Sequence, residues 1–271
     1  MADHPLTCES FVTTELLDQA PLGALFLAAI ALLGFAMEGG YRFGRWRHRR
    51  AAEERESPVG AMVGSILGLL ALVLAFTFNL AATRFDLRRQ VVLEESNAVG
   101  TAFLRAQFLP EPQRSAIRDL LREYVEVRLR GVEQGQTTAA VARSEELHAL
   151  LWTQTTAAVA DSPDSILAGL FVESLNHLID IHAKRILIGL RNRIPIVIWG
   201  ILSGLAVLGM FSVGYQAGIA ATLRSPAMFG LVLAFVFVLY LILDLDRATQ
   251  GLFQVSQESM HHLQESLHDH P

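Results

Sequence analysis

Cysteine occurs once, at Cys8, which excludes an intramolecular disulfide framework and a cysteine-based metal centre. Charge is sparse too: only 18% of the residues are Asp, Glu, Lys or Arg. No alternating Val/Ile/Thr run marks a strand. No nucleophile and base pair, glycine-rich phosphate loop or complete metal-ligand set can be assembled from the spacing, so the expectation is a non-enzyme without cofactor or metal. The first twenty residues carry Asp3, Glu9, Glu15 and Asp18 but no Lys or Arg, so the apolar run that follows lacks the basic start of a cleavable signal peptide. It reads as a retained span.

What the chain has instead is length of apolar sequence. Four runs, Leu22 to Met37, Val59 to Ala82, Ile194 to Val213 and Ala227 to Leu243, approach the ~20 residues a helix needs to cross the hydrocarbon core. With 52% hydrophobic residues, the composition suits a chain divided between lipid and water. The predicted fold is an all-α integral membrane protein, four transmembrane helices with a helical extramembrane domain inserted between spans 2 and 3. The predicted layout is an acidic N-terminal segment (1–21), spans at 22–41, 59–82, 194–215 and 226–243, an arginine-rich loop at 42–58, the domain at 83–193, a short loop at 216–225 and an acidic C-terminal tail at 244–271.

Charge sets the expected orientation. The 42–58 loop sets Arg42, Arg45, Arg47, Arg49, Arg50 and Arg55 against Glu53, Glu54 and Glu56, whereas both terminal segments are acidic. Basic short loops stay in the cytoplasm, which directs the termini and the 83–193 domain outward from a bacterial inner (plasma) membrane. The flanks of that domain are basic as well, at Arg84, Arg88, Arg89, Lys184, Arg185, Arg191 and Arg193, but long domains weigh less in the rule.

The 83–193 block reads as four helices. The first continues span 2 and stops before Pro110 and Pro112; the second runs from Gln113 to Val132, with Ile117, Leu120, Leu121 and Tyr124 on one face. The third covers Ala139 to Ala160, and the fourth runs from Ser165 to Arg193, ahead of a proline at 195 that suits the first turn of span 3. Positive and negative side chains balance in this block, 14 of each, which argues against a nucleic-acid partner.

Polar residues at membrane depth are costly unless paired or wetted. Thr77, Asn79, Arg84, Arg88 and Glu95 at and beyond the end of span 2, with Asp244 and Asp246 closing span 4, are the pore or vestibule candidates. The competing reading makes them interfacial anchors paired with one another. Gly60, Gly64 and Gly68 in span 2, and Gly200 and Gly204 in span 3, line helix faces that permit close packing, inside one subunit or, on the sharper reading, at a subunit interface or pore wall. His177 and Asp180 share a helical face but lack a third ligand, and His261, His262, His268 and His270 read as a solvated tail.

Span 2 running into Arg84-Phe-Asp-Leu-Arg-Arg-Gln-Val-Val-Leu-Glu-Glu-Ser-Asn-Ala-Val-Gly, then Leu109-Pro-Glu-Pro, then Asp244-Leu-Asp-Arg with Gly251 and Val255-Ser256, resembles the bestrophin-like family of bacterial four-span membrane proteins over about Val59 to Leu267. The resemblance implies the fold and the membrane location, and kinship with bestrophin anion channels. Ala248 stands where the family usually has proline after the Asp-Leu-Asp-Arg motif. The leading expectation is an oligomeric, anion-conducting channel or transporter in the lipid bilayer. The alternative is a non-conducting scaffold or sensor whose helical domain binds a partner.

Overall fold

The computed structural model describes residues 21–50, 56–160, 165–191, 193–220, 222, 225–247 and 251–269. The acidic segment with Cys8, the charges Glu53, Glu54 and Arg55, the break at 161–164, Ala248 and His270 lie outside the described residues. Among those described, every regular element is helical. We number them α1 (Leu22–Arg50), α2 (Glu56–Ala106), α3 (Gln113–Glu133), α4 (Thr137–Ala160), α5 (Ile166–Ile186), a π-helical turn (Leu187–Arg191), α6 (Ile196–Ile219), α7 (Pro226–Asp246) and α8 (Glu258–Asp269). The chain divides into two units, one of Met1–Thr83 with Arg193–Phe253, the other of Arg84–Asn192 with Gln254–Pro271.

In the first unit, α1, the apolar part of α2, α6 and α7 are each long and apolar enough to cross a membrane. Their outward side chains include Leu27, Phe35, Met62, Leu72, Phe76, Val197, Ile201, Phe229 and Phe237, all largely exposed. Such a surface is unfavourable in water and natural in lipid. The spans pack by backbone proximity. A Cβ placed at Gly40 or Gly44 of α1 would strike the backbone of α6 at Phe211 and Tyr215, and one at Gly214 or Gly218 of α6 would strike Met37 and Tyr41 of α1. These are two small-xxx-small pairs in register, the device that lets helices touch where lipid removes the hydrophobic drive. Phe26 packs against Phe237 and Tyr240 at 5.4 Å and joins α1 to α7.

Helix lengths depart from the sequence expectation at three places. α1 continues to Arg50, so the arginines from Arg42 to Arg50 stand on a helix instead of a loop; Arg42 is fixed there by Glu38, four residues back at 2.8 Å, and arginine is itself a good helix former. The helix after Ser165 stops at Ile186 and gives way to the π-helical turn. It does not run on to Arg193 as an α-helix: Leu187–Arg191 is π-helical, and Pro195, which restricts only the residue before it, bars a helical bond there without accounting for the change at Leu187. The tail, expected to be solvated, contains α8, whose Met260 and Leu267 are fully buried.

The second unit has its own core. Phe103, Ile117, Leu121, Leu147, Leu151, Phe171, Leu175 and Leu178 meet Met260 and Leu267 of α8, each fully buried large side chain contributing roughly 1.5–3 kcal/mol. α3 and α4 form an antiparallel pair around the turn at Gly135, which adopts a φ of 66°, a conformation glycine takes without the Cβ penalty. Ser165 caps α5 by accepting from the Ala168 N–H at 3.2 Å. On α8, Ser96 Oγ donates to the Ser259 carbonyl and Arg122 Nε to that of Leu267, at 2.9 and 3.0 Å.

Candidate functional site

The polar residues predicted from the sequence separate into distinct settings. Thr77 is buried, and its hydroxyl donates to the Val73 carbonyl one turn back at 2.8 Å, which satisfies it inside α2. Asn79 is exposed, Arg84 half-buried and Arg88 buried. Asp244 is 1% exposed and accepts the backbone N–H groups of Leu252 (3.0 Å) and Phe253 (3.1 Å). A Cβ at Gly251 would strike the same carboxylate, so a side chain there would have to displace Asp244 from its two N–H donors. Asp246 accepts the Ile194 N–H at 3.1 Å, two residues ahead of α6, and so satisfies a fully buried backbone donor. Both aspartates therefore fold the chain around the ends of α6 and α7.

The glycines separate likewise. Gly60 approaches the Gln216 amide of α6. At Gly64, Gly68, Gly200 and Gly204, an added Cβ would meet nothing within 4 Å, so the reading of these four as contacts inside one subunit is corrected: that role belongs to Gly40, Gly44, Gly214 and Gly218. Gly64 and Gly68 lie on an uncovered face of α2 that continues through Ala71, Ala75 and Asn79, all exposed. Gly200, Ser203 and Gly204 are the exposed small residues of α6.

Glu95 belongs elsewhere. The apolar part of α2 ends near Ala82, and Glu95 belongs to the helical unit, where it is 0% exposed. Three other helices supply its surroundings. From α3, the Tyr124 hydroxyl donates to Glu95 Oε1 at 2.5 Å and Arg128 Nε lies 3.2 Å from the same oxygen; from α5, Arg185 donates to Oε2. The Tyr124 oxygen also contacts His182 Nδ1 at 3.1 Å. Because the Tyr124 proton is committed to the carboxylate, His182 must donate through Nδ1. His148 of α4 stacks on Tyr124, ring centroids 5.2 Å apart, and meets His182 edge-on at 4.7 Å.

Burial alone would raise the Glu95 carboxyl, but the guanidinium groups of Arg185 and Arg128 and the Tyr124 hydroxyl outweigh it and hold the carboxyl below its ordinary value. Burial pushes the Tyr124 phenol well above 10, with the Glu95 charge adding to it. Burial also pushes His148 and His182 down to about 4, and Arg128 reinforces both shifts. The cluster therefore holds one anion, two cations and two neutral imidazoles.

Beside it, a polar cleft of about 360 Å³ runs between α2 and α5, lined by Glu94, Asn97, Thr101, Arg105, Glu173 and His177. His177 and Asp180 are both exposed, and among the described residues no group of three or more His, Cys, Asp or Glu could hold a metal ion. His261 and His262 sit on α8 near Glu133, Glu258 and Glu265 at 3.7–3.9 Å.

Sequence reasoning found Glu95 but not its company. Tyr124 carried a signal, since it falls on the apolar face with Ile117 and Leu121, where a phenol needs a buried partner. Arg128 is one turn further on that face. His148 and His182 had no local signal, as their neighbours come from other helices. No curated protein and no solved structure matches the chain. A family model described as the Bestrophin-like domain matches residues 30–260.

Proposed function

The chain belongs to the Bestrophin-like family, and from that premise we propose that it is a homo-oligomeric, anion-conducting protein of the bacterial inner membrane, with no catalytic activity. The observation that carries this reading is the uncovered face of α2. Gly64, Gly68, Ala71, Ala75 and Asn79 are exposed along one side of a membrane helix and present little apolar bulk to lipid. Small residues on a membrane helix favour close approach of another helix, and copies arranged about an axis would place this face on one another or around a water-filled path. Arg84, just past the apolar part of that helix, would raise the local anion concentration electrostatically. The termini and the 83–193 region face outward in this reading, following the arginine content of the first connection.

A second reading is favoured by the cleft between α2 and α5. Its polar lining of Glu94, Asn97, Arg105, Glu173 and His177 suits a non-conducting scaffold or sensor that binds a partner. Flux separates the two readings. Purified full-length protein in chloride-loaded liposomes should release chloride faster than protein-free liposomes. Release at the protein-free rate, from a preparation whose oligomer is intact, would overturn conduction.

A further inference from the structure

Two features of the buried cluster do not belong to ordinary core packing. The Nε2 atoms of His148 and His182 have no hydrogen-bond partner among the described residues, although the residues are only 8% and 3% exposed. The charge around them is also unbalanced. α2 contributes Glu95; α3 contributes Arg128 and the Tyr124 hydroxyl; α5 contributes Arg185 beside His182; and Gln257, ahead of α8, accepts from Arg185 at 3.2 Å. Glu95 Oε1 lies 4.0 Å from His182 Nδ1, but this single carboxylate is already engaged by two guanidinium groups and a phenol, so a proton arriving on either imidazole adds a cation to a site where the cations already outnumber the anion.

We propose that His148 and His182 form a proton-sensitive latch that holds α4 in the helical unit, closed while both imidazoles are neutral and released when one takes up a proton. His148 is the contact through which α4 reaches the cluster, stacked on Tyr124 and edge-on to His182. The other side chains that α4 buries, such as Leu147, Leu151 and Thr155, carry no charge and cannot compensate one. Uptake of a proton leaves a second uncompensated cation against Arg128 and Arg185, in surroundings where an unpaired charge is costly. Opening α4 hydrates the imidazoles and relieves it.

The direction of the pH dependence follows. Both imidazoles titrate near 4 when closed, against an ordinary 6.5, so the opened state binds more protons. The latch is fully closed above about 6.5 and weakens as the pH falls toward 4. Between pH 7.5 and 5.0, one imidazole shifts the opening equilibrium by about 30-fold. The latch stands whether or not the chain conducts ions.

Hydrogen exchange on the full-length protein in detergent micelles tests it. After correction for the intrinsic rate, exchange across 137–160 should rise tenfold or more from pH 7.5 to 5.0, while exchange across 226–246 stays level. The His148→Phe/His182→Asn variant keeps a ring on Tyr124 and a donor at the Nδ1 position, and its rise should vanish. A wild type whose 137–160 exchange does not change, or a variant that keeps the wild-type rise, overturns the latch. Should the variant not fold, imidazole NMR of the wild type decides. Two histidines should titrate well below 6.5, and their absence overturns the proposal.

Discussion

Glu95 and Arg185, ninety residues apart in sequence, form an ion pair in the interior of the helical unit, with side chains 0% and 12% exposed. The pair joins α2 to α5, and Arg128 extends it to α3. Removing the anion leaves two guanidinium groups facing each other without compensation. Glu95→Gln should therefore destabilise the helical unit by about 3–5 kcal/mol. Glu94, next to it in sequence, pairs with Lys184 at 2.6 Å with both side chains near half-exposed, and Glu94→Gln should cost about 1 kcal/mol or less. Chemical denaturation followed by far-ultraviolet circular dichroism compares the two, and equal losses would remove the cluster from the account of stability.

The glycine contacts make a prediction that separates folding from assembly. Gly214→Leu drives a side chain into the backbone of α1 at Met37 and should cost about 3 kcal/mol, seen as a lower melting temperature and poor recovery of monodisperse protein. At Gly64 the space around an added Cβ is open, so Gly64→Leu should leave the single chain folded and change the oligomer instead. Size exclusion with light scattering reads the difference. Gly64→Leu behaving like wild type in both respects would show that nothing covers this face.

Asp244 provides a third test. Its carboxylate holds the Leu252 and Phe253 N–H groups after α7, and Asp244→Ala leaves both without that acceptor, at a cost of about 1–3 kcal/mol. The loss should appear in stability, while any ion flux per folded oligomer stays at the wild-type level. A variant of normal stability with altered selectivity would return Asp244 to the ion path.

Orientation is open to direct labelling. In a Cys8→Ser background, a cysteine in place of Gln134, which is exposed at the end of α3, should react with a membrane-impermeant thiol reagent on spheroplasts. Reaction only after lysis would place the helical unit in the cytoplasm.

The four spans were legible because each is a local property, a run of apolar residues of membrane length; the end of α5 was not, because Pro195 marks only the latest place at which that helix could stop and nothing local marks the change at Leu187. α8 was missed because its net acidity and its histidines outweighed a short apolar stripe of Met260, Leu263 and Leu267. The glycine contacts were half legible. The four-residue spacing of Gly60, Gly64 and Gly68 has the same form as that of Gly40 with Gly44 and Gly214 with Gly218, and sequence alone does not say which face meets a neighbour. The buried cluster was the least visible part, since Glu95, Tyr124, His148 and His182 become one network only when four helices converge.

In the proposed function the uncovered face of α2 borders a conducting path. An Asn79→Cys variant in the Cys8→Ser background, reconstituted in liposomes, tests it most directly. Chloride flux should be near the wild-type rate before treatment and strongly inhibited after a charged thiol reagent is added, with the Cys8→Ser parent unaffected. Undiminished flux through a fully labelled variant would contradict a path along this face, and no flux from the parent would contradict conduction itself.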